Sequence, residues 1–98
     1  MIRLEIPPHL RELSGLGVEV TLDVRGTPTL ASVLDALETL HPELRGTIRD
    51  RVSGRRRDLL RFFASGKDLS FERMDAPLPE SVQRGEEPLV IIGAIAGG

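Results

Sequence analysis

The chain has 98 residues, enough for one domain with a self-sufficient core and too few for two. Its formal charge of −2 gives no reason to expect nucleic acid or an anionic membrane as the main partner. It contains no cysteine, which excludes disulfides, thiolate metal sites and a thiol nucleophile.

Apolar residues make up 40% of the chain, yet Phe62, Phe63 and Phe71 are its only aromatics, so the core must be built from Leu, Ile and Val. The N-terminus alternates in polarity and lacks the unbroken apolar stretch of a signal peptide, and no run approaches a membrane span. A cytoplasmic protein is the default expectation.

Ile2, Leu4 and Ile6 alternate with Arg3 and Glu5, the period-two pattern of a half-buried strand, which Pro7-Pro8 ends. His9 to Gly17 reads as a loop with a short turn, Leu10 and Leu13 tucked inward. Val18, Val20, Leu22 and Val24 alternate with Glu19, Thr21 and Asp23 and predict a second strand, paired antiparallel with the first. Thr29 is a candidate N-cap for a helix carrying Leu30, Val33, Leu34, Leu37 and Leu40 on one face, closed by Pro42.

Leu44, Ile48 and Val52 suggest a shorter helical segment, and Gly54 to Asp58 a charged loop. Leu59 to Ala64 predicts a third strand, Ser65-Gly66 a turn, and Leu69 to Phe71 a short partner strand. Asp75 to Gly85 reads as connection, and Pro77 and Pro79 argue against a full helix there. Pro88 to Ile92 forms the last strand. A hairpin, a crossing helix and further strands make an α+β roll: a β-grasp with a mixed four- to five-stranded sheet and one main helix on one face. The domain is expected to span residues 1–93, and residues 94–98 to form a flexible tail.

That tail reads Ala94-Ile95-Ala96-Gly97-Gly98. Glycine accounts for 10 of the 98 residues, so a Gly-Gly end arises by chance on the order of one time in a hundred. Two residues without Cβ atoms can pass through a channel too narrow for any side chain and deliver a terminal carboxylate to a distant active site. Such a carboxylate can attack the α-phosphate of ATP, and the acyl-adenylate is then open to a sulfur or nitrogen nucleophile. Ala94, Ile95, Ala96 and Gly97 are the expected threading residues and Gly98 the reacting one.

Elsewhere the chemistry is sparse. Arg55-Arg56-Arg57 reads as a solvated loop, because no aromatic platform accompanies it. His9 and His41 lack ligand spacing, so no metal is expected. Asp35 and Glu38 fall on the polar helix face, where ordinary solvation outweighs an acid–base role. With Leu60 and Phe62 turned to the core, Arg61 and Phe63 face the other side of the sheet. The last strand is apolar on both faces, and Arg61, Phe63, Leu89 and Ile91 are assigned to a partner-binding surface, the alternative being that the Asp75–Gly85 connection covers Phe63. Lys67, the only lysine, leaves little scope for chains of this protein built on itself.

These features resemble the MoaD/ThiS family of ubiquitin-like sulfur carriers over most of the chain. Leu10-Arg11-Glu12-Leu13 with Gly15, the Thr29–Leu40 helix, Pro42-Glu43-Leu44, Gly85-Glu86-Glu87 and the Ala94–Gly98 terminus carry the resemblance. Ile6-Pro7, Leu10-Arg11 and the long Ile48-to-Leu60 connection look most like its CysO branch, although Ala64-Ser65-Gly66 stands where the family often has Val-Asn. The resemblance implies a protein co-substrate and not an enzyme. An ATP-dependent activating enzyme would adenylate Gly98, sulfur transfer would give a thiocarboxylate, and a sulfur-accepting synthase would use it for molybdopterin, thiamine, cysteine or thiolated tRNA. No cofactor would be bound permanently. The alternatives are a modifier conjugated to target lysines through Gly98, or an interaction module with an inert tail.

Overall fold

A computed structural model of the chain describes residues 1–93. Five strands form one mixed sheet in the order β2-β1-β5-β3-β4. They are β1 (Ile2–Glu5), β2 (Glu19–Leu22), β3 (Leu60–Ala64), β4 (Lys67–Asp68) and β5 (Leu89–Gly93). β5 runs parallel to β1, with Leu4 opposite Leu89, and every other pairing is antiparallel. The expected β-grasp roll is what forms. A parallel neighbour for β1 demands a crossover, and the rest of the chain supplies it.

The hairpin connection holds a helix where a loop was expected, α1 (Pro8–Ser14). Pro8 stands in the helix's first turn, where its missing N–H costs nothing, and Gly15 closes the helix at φ +74°. So short a helix has one buried face; Leu10 occupies it and Leu13 is left exposed, contrary to expectation. β2 is an edge strand and shorter than its alternation predicts: Val18 lies outside it, exposed, and only Leu22 is fully buried.

α2 (Leu30–Leu40) covers one face of the sheet with Leu30, Val33, Leu34 and Leu37. Thr29 caps it as its sequence predicts. Ser32 N–H donates to Thr29 Oγ1 at 3.0 Å and Thr29 N–H donates to Ser32 Oγ at 2.8 Å, a reciprocal capping box. Facing α2 are Ile2, Leu4, Leu22, Leu60, Phe62, Leu89 and Ile91, all buried, with Phe62 fully so.

The segment after Pro42 forms no second amphipathic helix. One 3-10 turn (Pro42–Leu44) is followed by Gly46 at φ +81° and a hairpin-like loop in which Arg49 pairs with Arg56. Leu44 and Ile48 reach the core, whereas Val52 is 97% exposed at the tip. Ser65 (φ +53°) and Gly66 (φ +72°) make the two-residue turn after β3. A loop of that length sets β4 immediately after Gly66, two residues earlier than predicted. The later connection contains a single turn, α3 (Glu80–Gln83), which plugs Val82 into the core. Among the described residues no helix is long and apolar enough to cross a membrane.

Candidate partner surface and tail root

β5 lies between β1 and β3 and carries the chain to Gly93. Ala94, Ile95, Ala96, Gly97 and Gly98, the expected threading and reacting residues, lie outside the described residues.

The β3–β5 register decides which side chains share the uncovered face of the sheet. Arg61 is opposite Ile92 and Phe63 opposite Val90, whereas Phe62 is opposite Ile91. Directly paired residues stand on the same face. Leu89 and Ile91 are therefore core residues, 0% and 2% exposed, and the assignment of these two to a partner surface is corrected. Their places are taken by Val90, half-buried, and Ile92, 47% exposed. Because β5 is apolar at four successive positions, its sequence carries no alternation from which the phase could be read. Arg61 and Phe63 do stand on the outer face, both half-buried.

Polar contacts border this apolar strip. On the β1 side, Arg3 Nε donates to Glu19 at 3.0 Å, and Arg3 Nη1 reaches the Gly85 and Glu86 carbonyls at 3.3 and 3.2 Å. On the β4 side, Arg61 pairs with Asp68 at 3.7 Å and lies 4.9 Å from the centroid of the Phe71 ring, 76% exposed. Arg56 stands over the same ring at 5.1 Å.

Arg56 does not belong to a merely solvated loop. Its Nη1 donates to the carbonyls of Leu60 at 2.7 Å, Arg57 at 3.0 Å and Asp58 at 3.3 Å, and its Nε to that of Ser70 at 3.1 Å. It therefore fastens the start of β3, whose Leu60 is the partner of Gly93. Three consecutive arginines offer no sequence signal that the middle one turns inward. Arg49 was missed in the same way. It donates to Glu38 at 3.0 and 3.2 Å and to Asp35 at 2.5 Å, so Asp35 and Glu38 anchor the loop onto α2 and are not simply solvated. Those two carboxylates hold the Arg49 proton more tightly than usual, outweighing the opposing effect of burial.

At the end of β5, the His9 imidazole covers the Cα of Gly93: a Cβ there would sit 2.3 Å from His9 Cε1. A cleft of about 190 Å³ flanks the same point, with Pro7, Pro8, Val18 and Ile92 in its walls. The acidic turn before β5 is also fixed. Glu87 accepts hydrogen bonds from the hydroxyls of Ser65 at 2.5 Å and Ser81 at 2.7 Å, which hold its carboxyl below the usual range. His41 lies 3.4 Å from Glu43. Among the described residues no group of three or more His, Asp or Glu could hold a metal ion.

No protein-family model and no curated protein matches this sequence. Solved structures do match its fold. Small archaeal modifier protein 1 from Haloferax volcanii superposes with a TM-score of 0.71 at 20% identity, over 95% of each chain. A chain of the BexX/CysO complex from Amycolatopsis orientalis gives 0.75 at 20% identity over the full length of both. Mycobacterium tuberculosis CysO gives 0.74 at 21% identity, over 97% of this chain and 100% of that one. With that sheet order, that covering helix and these neighbours, the chain has the β-grasp fold of the ubiquitin-like proteins.

Proposed function

We propose that this chain is a sulfur carrier that is activated at Gly98. The observation that carries the reading is that β5, whose sequence leads into Ala94–Gly98, stands in a sheet face that no described helix covers and that bears Phe63, Val90 and Ile92. A side-chain-free Gly97-Gly98 end can enter a narrow site, while the sheet face gives a partner something larger to grip. The complexed CysO among the neighbours supports a partner-dependent role.

In the first step a carboxylate oxygen of Gly98 attacks the α-phosphorus of ATP and pyrophosphate leaves. Hydrosulfide then attacks the acyl carbon and AMP departs, leaving a thiocarboxylate. An acceptor enzyme transfers the sulfur to its own substrate, and water attacks the acyl carbon to restore the carboxylate. ATP is a substrate of the activating enzyme and not a cofactor of this chain, which acts as a recycled co-substrate and not as an enzyme. Conjugation to lysines through the same acyl-adenylate is the second reading, favoured by the neighbour described as a modifier protein.

Intact-protein mass spectrometry after incubation with ATP, sulfide and the host's activating enzyme tests the proposal. The expected product has one oxygen of Gly98 replaced by sulfur. An unchanged Gly98, with that enzyme active on another carrier, overturns it; lysine-linked conjugates in its place support the second reading.

A further inference from the structure

Charge is distributed very unevenly along the chain. Residues 45–61 contain seven arginines against Asp50 and Asp58, a local excess of five positive charges. The remainder holds six Lys or Arg against thirteen Asp or Glu, a deficit of seven. The net charge of −2 conceals this uneven distribution, which is partly offset where Asp35 and Glu38 pair with Arg49 and Asp68 with Arg61.

The basic segment is a built lobe. Asp50 Oδ2 accepts the N–H groups of Val52 at 2.9 Å and Ser53 at 2.7 Å, which hold its carboxyl below the usual range. Asp50 N–H donates to Arg55 O at 2.7 Å and Arg57 N–H to Ile48 O at 2.9 Å, closing the loop. Arg49 is neutralised by Asp35 and Glu38, and Arg56 is committed to backbone carbonyls. Arg57 Nε donates to the Gly46 carbonyl, and Arg45, Arg51 and Arg55 remain exposed beside it. Beside them lies a cleft of about 600 Å³ with His9, Thr47, Arg55 and Leu59 among its walls. His9 touches Gly93 and Leu60 pairs with it, so the lobe flanks the root of the tail. The Arg56–Phe71–Arg61 stack joins the lobe to the outer sheet face.

We propose that the Arg45–Arg61 lobe docks a carboxylate-rich patch on a partner protein, beside the site that receives the tail. The inference rests on the partner-dependent function above and names the chemistry of the partner's surface. Complementarity selects the occupant. A compact acidic patch meets only the lobe, whereas an extended polyanion such as RNA would run on into the negatively charged remainder. Asp50 and Asp58 interrupt the lobe's charge, and Phe71 gives it a single exposed ring, stacked with Arg56 and Arg61, in place of the series of platforms on which successive bases stack.

The test pairs Arg51→Glu/Arg55→Glu with Arg51→Lys/Arg55→Lys, each checked for native circular dichroism. Stopped-flow association with the host's activating enzyme is expected to slow by about tenfold or more for the Glu variant at low salt. The Lys variant should keep the wild-type rate, the difference should vanish near about 1 M salt, and kcat at saturation should not change. Equal rates for the Glu variant and wild type overturn the proposal. If the enzyme does not act on the wild-type chain, the functional reading fails but the lobe remains testable by NMR titration at low salt with hexaglutamate and hexauridylate. Amide shifts over residues 50–58 stronger with hexaglutamate, and lost in the Glu variant, support it. Tighter binding of hexauridylate, or self-association of the wild type abolished by the Glu variant, assigns the lobe to nucleic acid or to a second copy and refutes it.

Discussion

Ile91 and Ile92 are neighbours in sequence and stand on opposite faces of β5, so truncating each separates stability from recognition. Ile91 is 2% exposed and lies opposite the fully buried Phe62. Its replacement by Ala removes buried carbons and leaves a void, which costs about 2–5 kcal/mol. Ile92 is 47% exposed. About half of its side chain is already in water, so Ile92→Ala costs under about 1 kcal/mol. With a urea dependence of about 2 kcal/mol per M, the unfolding midpoint falls by about 1–2.5 M for Ile91→Ala and by less than about 0.5 M for Ile92→Ala. The chain has no Trp or Tyr, so circular dichroism is the suitable probe. Thiocarboxylation assayed below the substrate's KM should weaken for Ile92→Ala while the fold persists. Equal midpoint shifts, or a larger one for Ile92→Ala, would falsify the register on which the partner face depends.

Gly93→Ala places a methyl 2.3 Å from His9 Cε1 and must displace the imidazole. His9 is exposed and can swing outward, so the expected loss is about 1 kcal/mol, recovered in the His9→Ala/Gly93→Ala double variant; equal thermal midpoints for Gly93→Ala in both backgrounds would count against the contact. Arg49 and Glu38 are 15% and 13% exposed, between surface and buried pairs, and an Arg49→Met/Glu38→Gln cycle should give a coupling of about 1–2 kcal/mol by denaturation. A coupling near zero refutes the anchoring role. Asp50 is held below its ordinary pKa by the Ser53 and Val52 N–H groups, Asp68 by Ser70, Asp75 by Arg73 and Glu87 by Ser65 and Ser81. A depressed folded pKa contributes stability that is present above the unfolded value and lost as pH falls through the folded one. Thermal midpoints should therefore be flat near neutrality and decline below pH of about 4, less steeply for Asp50→Asn; an acid decline unaffected by Asp50→Asn removes that carboxylate from the account.

Local signals were sufficient for much of this molecule. Alternation in Ile2–Glu5, the Thr29 cap with its 3.6-residue apolar stripe, the Ser65-Gly66 turn and the prolines that limit α3 each act within a few residues, and their order alone led to a β-grasp. The Gly97-Gly98 pair, from which the proposed chemistry derives, is likewise a property of sequence. What the sequence left open required distant partners. The phase of β5 is invisible in Leu89-Val90-Ile91-Ile92, because four apolar residues fit either face until β1 and β3 hold the strand from both sides. Arg56 turns inward onto three carbonyls of its own segment and onto that of Ser70, fourteen residues away, which only tertiary packing brings within reach. His9 meets Gly93 across more than eighty residues of chain, and neither residue announces the other. Propensity and periodicity act over one turn or one strand; register, inward-turned charge and the meeting of distant segments are settled by the packed core.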